Sequence, residues 1–283
     1  PIEEFIAVAK EISKGNFSKH VEVKGHNEIA QMAQMLNYMC DELELLEEKR
    51  RKFVSDASHE LKTPMAGIKL ICDSLVAAEN PDPAMVKEFL GDMSDEVDRL
   101  TRIVERLLVL TKLDAGGNSL KLEEVDIKML ISQVVKKLTP IANAKDIVIY
   151  VDNHQAEFSP ILLDYDKMYE AIYNIADNAI KYSPEGGFVH IDITADNDYL
   201  TIKIEDNGPG IPEDERDRIF ERFYRLDDSR ARDTGGTGLG LAITKEAVLM
   251  HNGTIDVANV SDIGSVFTIR LPYKITIGGQ NEK

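Results

Sequence analysis

The sequence is short of basic residues. Its 283 residues hold 33 Lys and Arg against 50 Asp and Glu, a net charge of −17. That balance argues against nucleic acid or an anionic membrane surface as the main partner, because both repel an acidic chain. Cysteine is nearly absent, with Cys40 and Cys72 the only two. Two thiols make no disulfide framework and lack metal-ligand spacing, so both read as reduced apolar fillers in a reducing compartment. Long apolar runs are missing as well. No stretch approaches the ~18 uninterrupted apolar residues of a transmembrane helix, and no signal-peptide pattern opens the chain. The first residue is Pro1 rather than Met, and the expectation is a fragment whose upstream part has been removed. What is present, 43% apolar and 29% charged residues, fits a folded chain of two or three domains.

Charge divides the chain. Residues 1–48 carry 4 bases and 10 acids, residues 49–118 carry 11 and 12, and residues 119–283 carry 18 and 28. A near-neutral middle therefore lies between two acidic parts, and these three spans are the expected domains. Residues 27–113 read as long helix broken by the turn signal Glu79-Asn80-Pro81-Asp82-Pro83. Ala115-Gly116-Gly117-Asn118-Ser119 reads as a linker, and beyond it helical and alternating patterns interleave as α+β.

In the first span Ile2, Phe5, Ala9 and Ile12 step by 3 and 4 until Gly15-Asn16, and an extended connector follows with Val21 and Val23. Ile29, Met32, Leu36, Met39, Leu43 and Leu46 then hold the 3-4 spacing of a coiled-coil seam. A helix pair this short does not bury both stripes alone, so a parallel dimer forming a four-helix bundle is expected. With Gly25-His26-Asn27-Glu28-Ile29 opening its second helix, the span resembles a HAMP domain. Such domains relay signals from a preceding membrane helix.

The middle span contains Ser58-His59-Glu60-Leu61-Lys62-Thr63-Pro64. Phe53, Ala57, Leu61, Pro64, Ile68, Ile71 and Leu75 fall on one side of a helix, which leaves His59 and Thr63 facing solvent. Glu60 is placed to hold or take the imidazole proton, and Pro64 cannot bond the Glu60 carbonyl, which loosens the helix one turn beyond His59. The string SHELKTP resembles the H box of sensor histidine kinases. That resemblance implies that His59 is the phosphoacceptor, Glu60 its base, and Thr63 the residue that positions water for phosphatase activity. Val86, Leu90, Met93, Val97, Leu100, Val104 and Leu107 give the second helix of the hairpin, and two copies would make a dimeric bundle. Ala66 and Leu70 beside His59, rimmed by Lys62 and Lys69, read as a docking patch for a partner helix. The seam also takes a second consecutive 4-step from Ala57 to Leu61. Such a stutter locally unwinds a coiled coil and here brackets His59.

Four strings of the last span belong together. Asn174, Asn178 and Lys181 share a helix face (i, i+4, i+7), where amide oxygens and one Lys suit a hydrated Mg²⁺ between phosphates. Asp206-Asn207-Gly208-Pro209-Gly210 ends a strand and suits an exocyclic amine. Thr234-Gly235-Gly236-Thr237-Gly238-Leu239-Gly240 leads into a helix at Ala242–Met250, an anion cradle of free N–H groups. Between them Ile219-Phe220-Glu221-Arg222-Phe223-Tyr224-Arg225 sits in a stretch, residues 216–232, with six arginines and four acids, suited to a lid. In chain order the strings resemble the N, G1, F and G2 boxes of the histidine-kinase ATP-binding domain. The resemblance implies an α/β sandwich with a mixed sheet against three helices and ATP under a lid. By that match Asp206 reads adenine with Gly208 and Gly210, Tyr182 stacks on the base, and Asn174 and Asn178 hold Mg²⁺. Lys181 and Arg225 meet phosphate, and Gly236, Thr237, Gly238, Leu239 and Gly240 form the cradle. Ile263-Gly264-Ser265 departs from the last box, with Asp262 where Gly is often found, and receives no ligand role.

The remaining histidines, His20, His26, His154, His190 and His251, have no ligand-spaced partners and no structural metal is expected. The expected molecule is multidomain: all-α at its N-terminal part, then an α/β sandwich. The expected function is a homodimeric sensor histidine kinase with Mg²⁺ and ATP as cofactors, a response-regulator receiver domain as partner and an upstream transmembrane sensor. It would be the cytoplasmic portion of a bacterial inner-membrane protein. The alternatives are an ATP-hydrolysing conformational machine of the same superfamily and a signalling scaffold whose ATP site has decayed. The first needs a Glu to activate water where Asn174 stands. Intact Asn178, Asp206, Gly236, Gly238 and Gly240 weigh against the second.

Overall fold

The computed structural model describes residues 2–23, 25, 27–78, 80–114, 120–154, 158–226, 238–260 and 264–273. The chain divides into two compact units, Pro1–Thr63 and Pro64–Lys283. The division falls within a single long helix.

The first unit opens with α1 (Ile2–Ile12). Gly15, in the left-handed conformation at φ 82°, lets the chain turn there. The connector is pinned to α2 (Glu28–Ala77) by Asn37, whose amide accepts the Val21 N–H at 2.8 Å and donates to the Val21 carbonyl at 2.9 Å. Asn27 caps the start of α2 by accepting the Ala30 N–H. The core of this unit is Val8, Val21, Ala33 and Cys40, with Phe5, Ile12 and Leu36 against it. The buried α1 stripe therefore runs Phe5, Val8, Ile12 in place of the expected Ile2, Phe5, Ala9, Ile12. On α2 the small Ala30, Ala33 and Cys40 admit α1 and the connector, while Ile29, Met32, Met39, Leu43 and Leu46 stay exposed.

The second unit begins at Pro64, which α2 passes through without ending. Along α2 the half-buried residues Ile68, Ile71 and Leu75 follow the expected stripe, with Pro64 buried and Leu70 and Val76 open. On α3 (Pro83–Asp114) the expected single seam splits into two faces. Val86, Met93, Leu100 and Leu107 are covered along with Phe89, Ile103 and Leu110, whereas Leu90, Val97, Val104 and Leu108 are exposed. The helix is apolar on two sides and one neighbour covers only one of them.

The rest of the unit is a two-layer α/β domain. Its elements are β1 (Leu122–Val125), α4 (Ile127–Asn143), β2 (Val148–Asn153), β3 (Ile161–Asp164), α5 (Tyr165–Tyr182), β4 (Phe188–Ala195) and β5 (Tyr199–Asp206), then α6 (Gly240–Met250), β6 (Thr254–Asn259) and β7 (Ser265–Pro272). The main sheet has the order β2-β4-β5-β7-β6, with β2 parallel to β4 and the other pairs antiparallel. β1 and β3 pair separately. Period-2 alternation buries Val189, Ile191 and Ile193, Leu200, Ile202 and Ile204, and Phe267, Ile269 and Leu271 against α4, α5 and α6. Each such side chain contributes about 1.5–3 kcal/mol on burial, so this layer is the main stabilising element. This is the expected mixed sheet against three helices. The fully buried His251 ties the end of α6 to the start of α5: its Nε2 accepts the Asp164 N–H at 2.9 Å, and its Nδ1 donates to the Ala247 carbonyl at 2.7 Å. Asp164 in turn caps α5 by accepting the Lys167 N–H.

Candidate nucleotide and phosphoacceptor sites

A cavity of about 170 Å³ opens where α5, the end of β5 and the N-terminus of α6 converge. Asp206 forms one end of it. Strand β5, the middle strand of the sheet, delivers the carboxylate at its C-terminal end, where it is buried and accepts hydrogen bonds from the Gly208 N–H at 2.8 Å and from Ser265 Oγ. Burial pushes this carboxyl above its ordinary range, and the bonds from Ser265 and Gly208 pull it back. Gly264 has φ 97°, and a Cβ there would lie 2.2 Å from the Asp206 carbonyl oxygen. A Cβ on Gly208 would meet Asp206 Oδ1 at 2.8 Å and the Tyr182 carbonyl at 2.9 Å. Ile211, Ile219 and Phe267 supply apolar walls and the half-exposed Tyr182 stands at the rim. A flat apolar slot ending in one buried acceptor suits an aromatic ring with an amine.

The other end is polar. Asn174, Asp177, Asn178 and Lys181 of α5 face Gly238 and Gly240 at the start of α6 and Arg225 of the lid stretch. Asn174 Nδ2 donates to the Gly240 carbonyl, and the Lys181 ammonium pairs with Asp177 at 2.5 Å. Lys145 donates to the carbonyls of Ile180, Lys181 and Ser183, so a cation closes the C-terminal end of α5. Gly238, at φ 67°, accepts the Phe223 N–H at 3.0 Å, and a Cβ there would sit 2.6 Å from the Phe223 carbonyl carbon. The phenylalanine string and the glycine string are thus joined through backbone.

Most of the expected residues converge on this cavity: Asn174, Asn178, Lys181, Tyr182, Asp206, Gly210, Arg225, Gly238 and Gly240 line it. Gly208 stands behind Asp206, and the buried Leu239 precedes the first turn of α6. Gly236 and Thr237 lie outside the described residues, as do Arg230 and Arg232. Arg218 points elsewhere, pairing with Glu215 and lying over the Tyr224 ring. Residues that the sequence reading did not assign also belong here: Ser265, Gly264, Asp177 and Arg106. Ser265 pairs in register with Asp206, and the sequence signal for the first two was the Ile263-Gly264-Ser265 string likened to the last box.

His59 is exposed on α2, opposite the more covered Phe53, Ala57 and Leu61, with Glu60 half-buried beside it. Thr63 Oγ1 donates to the His59 carbonyl at 3.3 Å. Among the described residues no three His, Cys, Asp or Glu side chains cluster as a metal site, and no helix is long and apolar enough to cross a membrane.

Residues 1–45 match the HAMP domain, residues 49–116 the His Kinase A (phospho-acceptor) domain, and residues 163–275 the histidine kinase-, DNA gyrase B- and HSP90-like ATPase family. The chain belongs to the sensor histidine kinases. It is 36% identical over 249 residues to the sensor histidine kinase WalK of Bacillus subtilis, covering 84% of this chain and 39% of that protein. The histidine kinase AdeS of Acinetobacter baumannii superposes with a TM-score of 0.62 at 27% identity, over 76% of this chain and 98% of that one. Full-length ShkA in complex with AMPPNP gives a TM-score of 0.59 at 28% identity, over 78% of this chain and 45% of that one. The chain thus spans well under two thirds of the length of its curated relative WalK.

Proposed function

We propose that this chain transfers the γ-phosphoryl group of ATP to His59 and then to an aspartate on the receiver domain of a response regulator. The observation that carries the reading is the joint presence of a solvent-facing His59 with the half-buried Glu60 beside it on a helix and a cavity shaped for a purine with a polar phosphate end. ShkA, of the same fold, is seen with an ATP analogue. Asp206, held by Ser265 and Gly208, accepts the purine amine, and the glycine backbone ahead of α6 receives phosphate oxygens. Lys181 and Arg225 offer cations at the γ-phosphate, where transfer proceeds mainly by positioning and charge stabilisation.

An imidazole nitrogen of His59 forms the P–N bond while the bond from γ-phosphorus to the bridging oxygen breaks, leaving ADP. Glu60 takes the imidazole proton. The carboxamides of Asn174 and Asn178, one turn apart at the phosphate end, fit the hard-oxygen donor set of Mg²⁺. When bound, that ion neutralises charge between phosphate oxygens. Thr63, by leaving its bond to the His59 carbonyl, would hold water for removal of phosphate from the regulator.

The exposed seams of α2 and α3 support a homodimer. The HAMP span supports attachment to a membrane-embedded sensor, with this part on the cytoplasmic side of a bacterial inner membrane. An ATP-hydrolysing machine fits less well, because Asn174 offers no carboxylate base. Incubation with γ-labelled ATP and Mg²⁺ is expected to give acid-labile label on the wild type and none on His59→Gln; label persisting in the variant would refute the assignment. Thr63→Ala is expected to slow dephosphorylation of the regulator while autophosphorylation continues.

A further inference from the structure

Arg106 lines the nucleotide cavity but does not come from the α/β domain that forms the rest of it. It stands on α3, the second helix of the hairpin, where that helix runs close to α6. Ile103 and Leu110, which flank it on the same side of α3, are fully buried, so the helix is held in place at this level. The neighbours of Arg106 mark which end of the cavity it serves. Its charge acts on Glu170 and Tyr173, which lie one turn before Asn174 and Asp177 respectively on α5. Burial pushes the Glu170 carboxyl up, and Arg106 and Lys167 oppose that rise. The guanidinium therefore lies near the part of α5 that leads into Asn174 and Asp177, among the groups lining the cavity. There Lys181 is already paired with Asp177. A planar guanidinium fork matches phosphate oxygens two at a time, which an ammonium does not.

We propose that Arg106 is a nucleotide-binding residue, contacting the terminal phosphates of ATP from the hairpin helix and so making nucleotide occupancy hold α3 against the nucleotide domain. The proposal rests on the ATP reading of the cavity. Its consequence is selectivity by phosphate number: Arg106 contributes to ATP binding and not to AMP binding. It also makes the second helix of the hairpin part of the binding site.

Calorimetric titration of the whole chain with ATP, ADP and AMP tests this, in a His59→Gln background so that ATP is not consumed. Arg106→Gln is expected to weaken ATP about tenfold, the loss of one charged hydrogen bond, and to leave AMP within about twofold. Arg106→Lys should recover part of the ATP affinity. ATP affinity that is unchanged or increased in Arg106→Gln, or an equal loss for ATP and AMP, overturns the proposal. Asp206→Asn is the internal control. If it weakens all three nucleotides while Arg106→Gln weakens none, the cavity is a nucleotide site without Arg106. If the background chain itself binds no nucleotide, the ATP reading fails instead.

Discussion

Single residues govern the chemistry of the nucleotide domain through what their backbone permits. Gly264 is the clearest case. At φ 97°, with the Asp206 carbonyl 2.2 Å from where a Cβ would be, Gly264→Ala forces β7 away from the end of β5. The left-handed backbone alone costs about 1–3 kcal/mol, and the displacement moves the carboxylate proposed to accept the purine amine. The variant is expected to melt earlier and to lose at least about tenfold in ATP affinity by titration. His251 makes a second residue-scale prediction. Burial holds its imidazole below the ordinary 6.5, with the Ala247 carbonyl and Asp164 opposing and Lys167 adding to the effect. The unfolded chain therefore binds the proton more readily. The stability that neutral His251 provides is present above pH 6.5 and is lost as pH falls through the folded value. Melting temperature should drop on going from pH 7.5 to pH 5. His251→Gln, which can still accept from Asp164 and donate to Ala247, should flatten that slope. An unchanged slope would assign the pH dependence to another group.

At the scale of elements, legibility followed periodicity. β5 and the helical face of Asn174, Asn178 and Lys181 read directly, because alternation and 3.6-residue spacing depend only on neighbours along the chain. Stripe register did not. Val8 replaced Ala9 in the α1 core because the choice depends on where Asn37 holds the connector at Val21, a contact 16 residues long in sequence. The seam of α3 likewise split, since spacing reveals that a helix is apolar and not how many neighbours it has. The lid arginines show the same limit: Arg218 is engaged by Glu215 and Tyr224, so net charge overstated the cations available to phosphate. Helix α2 carries the element-scale prediction. It runs unbroken from Glu28 to Ala77, so whatever rotates its first turns is transmitted toward the stutter at Ala57–Leu61. Inserting three or four residues between Glu47 and Phe53 offsets the helix phase by about −60° or about +40°, in opposite senses. Autophosphorylation is expected to shift in at least one insertion, and equal rates in both and in the parent would sink the coupling.

At the scale of the whole molecule, the unsatisfied surface is apolar and helical. Leu90, Val97, Val104 and Leu108 on α3 are each more than two-fifths exposed, as are Met32, Met39 and Leu46 on α2. Patches of this kind on a helical hairpin are interaction surfaces. For the proposed homodimer, Val97→Glu is expected to shift sedimentation at micromolar concentration from dimer to monomer. It should leave ATP affinity within about twofold, because Val97 is exposed and lies about 13 Å along α3 from Arg106, the residue of that helix that lines the cavity. A variant that sediments as the parent does would place the dimer contact elsewhere.

The thiol at the centre of the first unit gives this architecture a chemical clock. Cys40 has no exposed surface, and burial, followed by Asp41 and Glu44, raises its pKa, so in the closed unit the thiol is hidden and its thiolate disfavoured. An alkylating reagent reaches it only when the connector lifts from α2, and the rate of its modification counts those openings. Cys72, half-buried on the same helix 32 residues on, serves as the reference in the same tube.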